Sequence, residues 1–346
     1  MIRRKNVEFG LLLGVIVFGL TISLPLTAAP QSGTPMTIEP PLGLPPVPIP
    51  DDNPMTVEKV ELGKMLYFDK RLSKDKTLSC ATCHIPEHGY AEPRETSLGI
   101  KSQLGPINAP PVINSAYATS MFWDGRMKTL EQQAAGPVDN PIEMGHDIEE
   151  VAKEINAIPE YQKRFEDVFG QPADKDTITK AIAAFERTLL AGNSPFDRYQ
   201  NGDENAISAE AKEGWQLFQQ KLCATCHQPP VFSNWGFYNA GVEVVDGKIP
   251  DGRFIFTKSP TDKGSYRVPH LRNLKNTSPY LHDGSAKTIE EAVRFMAKGG
   301  IDNANLNPLF RAIKAQKITD DQIKKITAFL ESLTGEYPII EEPKLP

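Results

Sequence analysis

Cys80-Ala81-Thr82-Cys83-His84 and Cys223-Ala224-Thr225-Cys226-His227 are the same pentapeptide, and together they use all four cysteines of the chain. C-x-x-C-H is the attachment signal of a c-type haem. One helical turn sets two sulfurs on one side, where they add across the two vinyl groups, and the next residue brings its imidazole to the iron. The cofactors read from this are two covalently bound haems c. Cys80, Cys83, Cys223 and Cys226 are the attachment points, and His84 and His227 are the iron ligands. The competing chemistry is a single zinc site made of all four cysteines, which leaves both trailing histidines without a role.

The copies extend beyond the pentapeptides. Pro110-Pro111-Val112-Ile113-Asn114 aligns with Pro269-His270-Leu271-Arg272-Asn273. At the same offset Trp123-Asp124-Gly125 falls on His282-Asp283-Gly284, and Lys128-Thr129-Leu130-Glu131 on Lys287-Thr288-Ile289-Glu290. Thr129 and Thr288 read as helix N-caps, with Gln132 and Glu291 completing capping boxes. The chain therefore reads as two copies of one haem-binding unit. Their difference lies after the caps. Met296 sits on the stripe Ile289, Ala292, Val293, Met296 and is either a core methionine or the thioether ligand of the second iron. Its counterpart in the first copy is Pro137, which cannot ligate. The second iron reads as His227/Met296 and suited to electron transfer; the first has His84 and no evident sixth ligand.

The positioning elements are helical. Apolar spacing predicts helices over Thr56–Phe68 and Ser208–Gln220, each leading into a haem motif, and over Thr177–Leu190 with Ile178, Ile182, Phe185 and Leu189 facing the core. The fold class is all-α: two cytochrome c-like haem domains with long wrapping loops, at 55–200 and 201–346. The chain has 346 residues, 25 glycines and 30 prolines. Net charge is −6, which gives no footprint for nucleic acid. Arg3, Arg4 and Lys5 precede an apolar run from Phe9 to Ile22 and then Ala28-Ala29, so residues 1–29 read as an export signal, or as a membrane anchor if uncleaved. Residues 30–54, with Pro40-Pro41, Pro45-Pro46, Pro48 and Pro50, read as an extended tether or a disordered linker. Export to the periplasm fits haem c, which is attached outside the bacterial cytoplasm.

Beyond the proline-rich run the chain resembles the bacterial di-haem cytochrome c peroxidases. The resemblance is carried by both C-A-T-C-H motifs, Glu95-Thr96-Ser97-Leu98-Gly99, Phe122-Trp123-Asp124-Gly125-Arg126, Asn140-Pro141-Ile142-Glu143-Met144-Gly145 and Tyr280-Leu281-His282-Asp283-Gly284. It implies reduction of hydrogen peroxide to water with electrons from a small redox protein, a cytochrome c or a cupredoxin. It implies a peroxidatic N-terminal haem, an electron-receiving C-terminal haem with Met296 as ligand, and a homodimer. Trp123 matches the tryptophan between the haems. Glu143 and Gln133 match the distal-pocket pair, Glu143 as the acid–base. Asn108 and the carbonyls of Thr277 and Pro279 match a calcium set, oxygen donors as that cation prefers.

One position departs from the pattern. Where many members carry a distal histidine after E-T-S-x-G, this chain has Ile100, so the first iron is expected to be five-coordinate or water-bound, without that gate. His88 and His146 are the histidines that would contradict this by ligating. His270 and His282 read as contacts to haem propionates or to ligand neighbours. Two other functions compete with peroxidase. One is a di-haem oxidant of a protein substrate, whose relative uses tyrosine at Met296; the other is a non-catalytic electron carrier.

Overall fold

Two helix crossings, each closed by a glycine, carry the architecture. The computed structural model describes residues 33–346, and the export signal or anchor expected at 1–29 lies outside them. Helix α1 (Val57–Phe68) leads to the first haem motif, α2 (Cys80–Cys83). Helices α3 (Leu130–Asp139), α4 (Ile148–Asn156), α5 (Pro159–Phe169) and α6 (Lys175–Glu186) complete the first half. Helix α7 (Pro195–Gln200) precedes α8 (Ala209–Gln220), which leads to the second motif. Then come α9 (Phe254–Thr257), α10 (Ile289–Ala297), α11 (Pro308–Ala315) and α12 (Asp320–Glu331). Among the described residues the one sheet is the antiparallel pair β1 (Phe237–Tyr238) and β2 (Tyr266–Arg267), with Tyr238 opposite Tyr266.

Gly63 lets α1 lie on the backbone of α6, since a Cβ there would stand 1.8 Å from Ala181 O. Gly214 does the same for α8 on α12, where a Cβ would stand 1.9 Å from Lys325 O. Phe185 and Phe329 flank the two crossings in the same way. Around the first crossing Leu62, Leu66, Tyr67, Ile178, Ile182 and Phe185 are buried in one cluster. Around the second, Phe196, Phe218, Phe232 and Phe329 pack their rings together, with Trp215 against them.

The local devices repeat as well. Thr56 and Ser208 cap α1 and α8, and Thr129 and Thr288 cap α3 and α10. Glu291 completes the capping box of Thr288, whereas Gln132 reaches one residue further back, to the Lys128 amide. Phe122 and Leu281 take left-handed backbone in matching tight loops, bridged by Met121–Met127 and Tyr280–Ala286. Both halves are cytochrome c-like and mostly helical, and these pairs are consistent with an internal duplication.

Two expectations change. The helix expected over Thr177–Leu190 starts at Lys175, where the Asp174 cap bonds Thr177 N, and ends at Glu186. The proline-rich run is neither a free tether nor a loose linker from residue 34 on. Thr34 bonds Glu58, Leu42 O accepts from Asn193 N, Gly43 O from Arg272 and Pro45 O from Tyr117. Prolines leave many carbonyls free to accept, and the body supplies the donors. Phe196 on α7 packs in the second cluster. At the other end, Tyr337, Ile340 and Leu345 return to the first cluster.

Candidate active site

The two pentapeptides are built alike. The His84 Nδ1–H donates to Tyr90 O at 3.2 Å, and the His227 Nδ1–H to Phe232 O at 2.9 Å. A carbonyl only accepts, so each proton sits on Nδ1 and each Nε2 keeps its lone pair. Burial pushes both imidazoles down to about 4, which keeps them neutral and fit to ligate. None of the four cysteines is paired in a disulfide. The four are not gathered with histidines or carboxylates into a metal cluster among the described residues, which removes the four-cysteine zinc alternative.

The second cradle is an apolar cavity lined by Phe218, Cys223, Cys226, His227, Val293 and Met296. Met296 thus faces the same space as His227, from the apolar stripe of α10. His270 also lines it, with both ring nitrogens buried and without a hydrogen-bond partner. Burial, then Arg267 and Arg272, push its imidazole down to about 3. Arg267, on the same wall, is buried and pushed down to about 10. The unpartnered imidazole of His270 and the guanidinium of Arg267, whose Nε donates to Phe122 O at 3.1 Å, on the wall of an apolar slot fit a flat macrocycle with anionic propionates. His227, Met296, His270 and Arg267 are the residues that would hold it.

In the first half, Pro137 occupies the place of Met296 within α3. Ile100 is buried, and its amide donates to Glu143 O at 2.8 Å. Its side chain fills the space beside Gly145, where a Cβ would meet Ile100 Cδ1 at 2.3 Å. The Glu143 carboxylate accepts from Asn140 Nδ2 at 2.6 Å. Burial raises its pKa, partly offset by that bond and by the charge of Arg126. Burial first, then the charge of Glu92 and to a lesser degree that of Glu143, raises the Cys83 thiol, so Glu143 lies within electrostatic reach of the first motif. Asn140 and Arg126 were not singled out from sequence; their place in the quoted motifs beside Glu143 and Trp123 was the available signal. Gln133 lies half-buried one turn before Pro137, and its side chain makes no hydrogen bond to Glu143.

Neither doubtful histidine joins this site. His146 is buried with Nδ1 accepting from Asp147 N and Nε2 3.3 Å from Glu154 Oε1. His88 donates through Nε2 to Ser278 O, tying the first motif's loop to the second half.

Two family models match consecutive parts of the chain: "Di-haem cytochrome c peroxidase" over residues 57–205 and "Cytochrome c" over 211–334. The cytochrome c551 peroxidase of Nitrosomonas europaea is 41% identical over 302 residues, covering 86% of each chain. The chain belongs to the di-haem cytochrome c peroxidase family. The methylamine utilization protein MauG of Methylorubrum extorquens is 37% identical over 87% of this chain and 85% of its own. A solved MauG-like protein associated with microbial copper homeostasis superposes with a TM-score of 0.77 at 32% identity, over 86% of this chain and 95% of that one.

In this di-haem protein Trp123 stands where the halves meet. Its ring lines the second cavity, and its Nε1 donates to Asn108 O at 2.8 Å. Its neighbour Phe122 packs on α3 of the first half, where Gly136 leaves room for the ring. Asn108, Thr277 and Pro279 line the second cavity too. Asn108 Nδ2 donates to Arg94 O at 2.8 Å.

Proposed function

We propose that the chain is an exported, periplasmic cytochrome c peroxidase that reduces hydrogen peroxide to water with electrons from a small redox protein, a cytochrome c or a cupredoxin. One observation carries the reading. A half-buried carboxylate with a raised pKa, Glu143, lies within electrostatic reach of the first motif, where Pro137 and Ile100 offer no iron ligand. When bound, the haems supply peroxide binding and single-electron transfer. The chain supplies the rest. His84 and His227 would ligate the irons. Glu143 accepts a proton from one peroxide oxygen and returns it to the other, with Asn140 orienting the carboxylate and Gln133 the oxygen species. Met296 closes the second site and favours its reduced state. Trp123 joins the two halves as the electron bridge. The basic start and apolar run of the N-terminus support export, and the family resemblance supports a homodimer.

The test is an absorption and EPR spectrum of the as-isolated and half-reduced holoprotein, beside a peroxide assay with reduced cytochrome c. A high-spin fraction from the first haem, a His/Met low-spin second haem and peroxide consumption are expected. Two low-spin irons and no consumption would instead identify an electron carrier. Likeness to MauG supports oxidation of a protein substrate as the second reading; it would show as substrate oxidation with little cytochrome-dependent turnover.

The calcium set is proposed on its oxygen donors, the Asn108 side chain and the carbonyls of Thr277 and Pro279. Chelator treatment of the holoenzyme should then lower peroxide turnover, with recovery on adding Ca2+. Unchanged turnover with no calcium in the elemental analysis would remove the ion from this reading.

A further inference from the structure

A chain of three rings runs outward from Trp123. Trp123 meets His282 edge-on, with ring centres 6.1 Å apart, and His282 stacks on Tyr266 with centres 3.5 Å apart and planes 22° from parallel. All three line the second haem cavity. Their spacing is set by backbone bonds. Trp123 Nε1 donates to Asn108 O, and Asn108 N donates to His282 O at 2.8 Å. Arg267 N, next to Tyr266 on β2, donates to Trp123 O at 2.7 Å. Pairing of β2 with β1 fixes the register of Tyr266.

The surroundings of the phenol are one-sided. Besides burial, the charges that bear on Tyr266 are those of Glu243, Asp124, Asp283 and Asp251, and all of them raise its pKa. Asp124 and Asp283 come from the two matching tight loops. Glu243 is exposed, with Oε2 3.3 Å from His282 Nε2. Negative charge opposes loss of the phenolic proton alone. The same charge favours loss of an electron when the proton leaves with it.

We propose that Tyr266 is a redox-active residue that supplies an electron through His282 and Trp123 when peroxide arrives faster than the external donor. The inference rests on the peroxidase reading. Reducing one peroxide to two waters takes two electrons and two protons. Tyr266 gives one electron as its O–H bond breaks, becoming a neutral phenoxyl radical, and its proton passes to solvent. The small redox protein gives the second electron, and solvent supplies the protons consumed. One further electron from that donor and one proton restore the phenol.

The test uses the fully oxidised holoenzyme, mixed with a stoichiometric amount of hydrogen peroxide without donor and frozen for EPR, with natural and with ring-deuterated tyrosine. An organic-radical signal that narrows on deuteration is expected. It should be lost in Tyr266→Phe, a variant whose absorption spectrum must still show both haems. A deuterium-insensitive radical in the native enzyme, or a deuterium-sensitive one that persists in Tyr266→Phe, would overturn the proposal. Peroxide turnover with reduced cytochrome c on the same preparation separates the two readings. Turnover without the tyrosine signal overturns the role of Tyr266 and leaves the peroxidase standing; absence of turnover overturns both.

Discussion

Replacing Glu143 by Gln is expected to lower peroxide turnover by about 10²–10⁴-fold while both haems stay attached. Gln keeps the volume and can still bond Asn140, but it cannot take a proton from one oxygen and give it to the other. The carboxylate is the base, and burial raises its pKa. The acid limb of kcat/KM should therefore lie above the ordinary glutamate range and should disappear in the variant. Stability moves the opposite way. A carboxyl whose folded pKa is raised binds its proton more tightly in the native state, so stability falls as pH rises from the unfolded value through the folded one. At neutral pH the buried carboxylate is a cost, and Glu143→Gln should melt no lower than the native protein. Native turnover in the variant, with haem content unchanged, would sink the assigned role.

Much of this site was legible in the sequence, because its parts are short and local. C-A-T-C-H declares attachment within five residues, and the periodicity before Phe68 and Gln220 gives the helices that support it. The contrast between Met296 and Pro137 needed only the alignment of the halves. What was not legible depends on contacts far apart in the chain. The prolines of residues 34–54 read as a tether since nothing local shows that Asn193, Arg272 and Tyr117 reach them. The partners of His146 were not legible either, because its link to Glu154 and the Asp147 amide depends on how α4 begins. Stacking of Tyr266 on His282 depends on the register of β2 against a loop of the second copy. Resemblance pointed to Glu143, and the desolvation that raises its pKa gives that residue a physical reason to be the base.

Asp197→Ala is the substitution expected to cost most in stability, about 3–5 kcal/mol, because it leaves a buried guanidinium without its counter-charge. Arg272 is fully buried and holds Asp197 with two parallel bonds of 2.8 and 2.9 Å. Two further donors go to Gly43 O and Pro230 O, both at 2.8 Å. One side chain thus joins the proline-rich strap, α7 and the loop beyond His227. Close approach of strap and α7 also requires Gly43, where a Cβ would stand 1.9 Å from Asp197 Oδ1. Without the carboxylate, the charge must either stay buried unpaired or pull the strap open to reach water. Denaturant melts of the holoprotein should show the loss, with hydrogen exchange rising first in residues 34–54 and α7. The exposed pair Arg164–Glu160 on α5 is the contrast, and breaking it should cost no more than about 0.5 kcal/mol. Adding Arg272→Met to Asp197→Ala should recover a large part of the loss, since the cost lies mainly in the stranded charge. If the double variant were as unstable as Asp197→Ala alone, the strap would be held by the shape of this junction rather than by its charges.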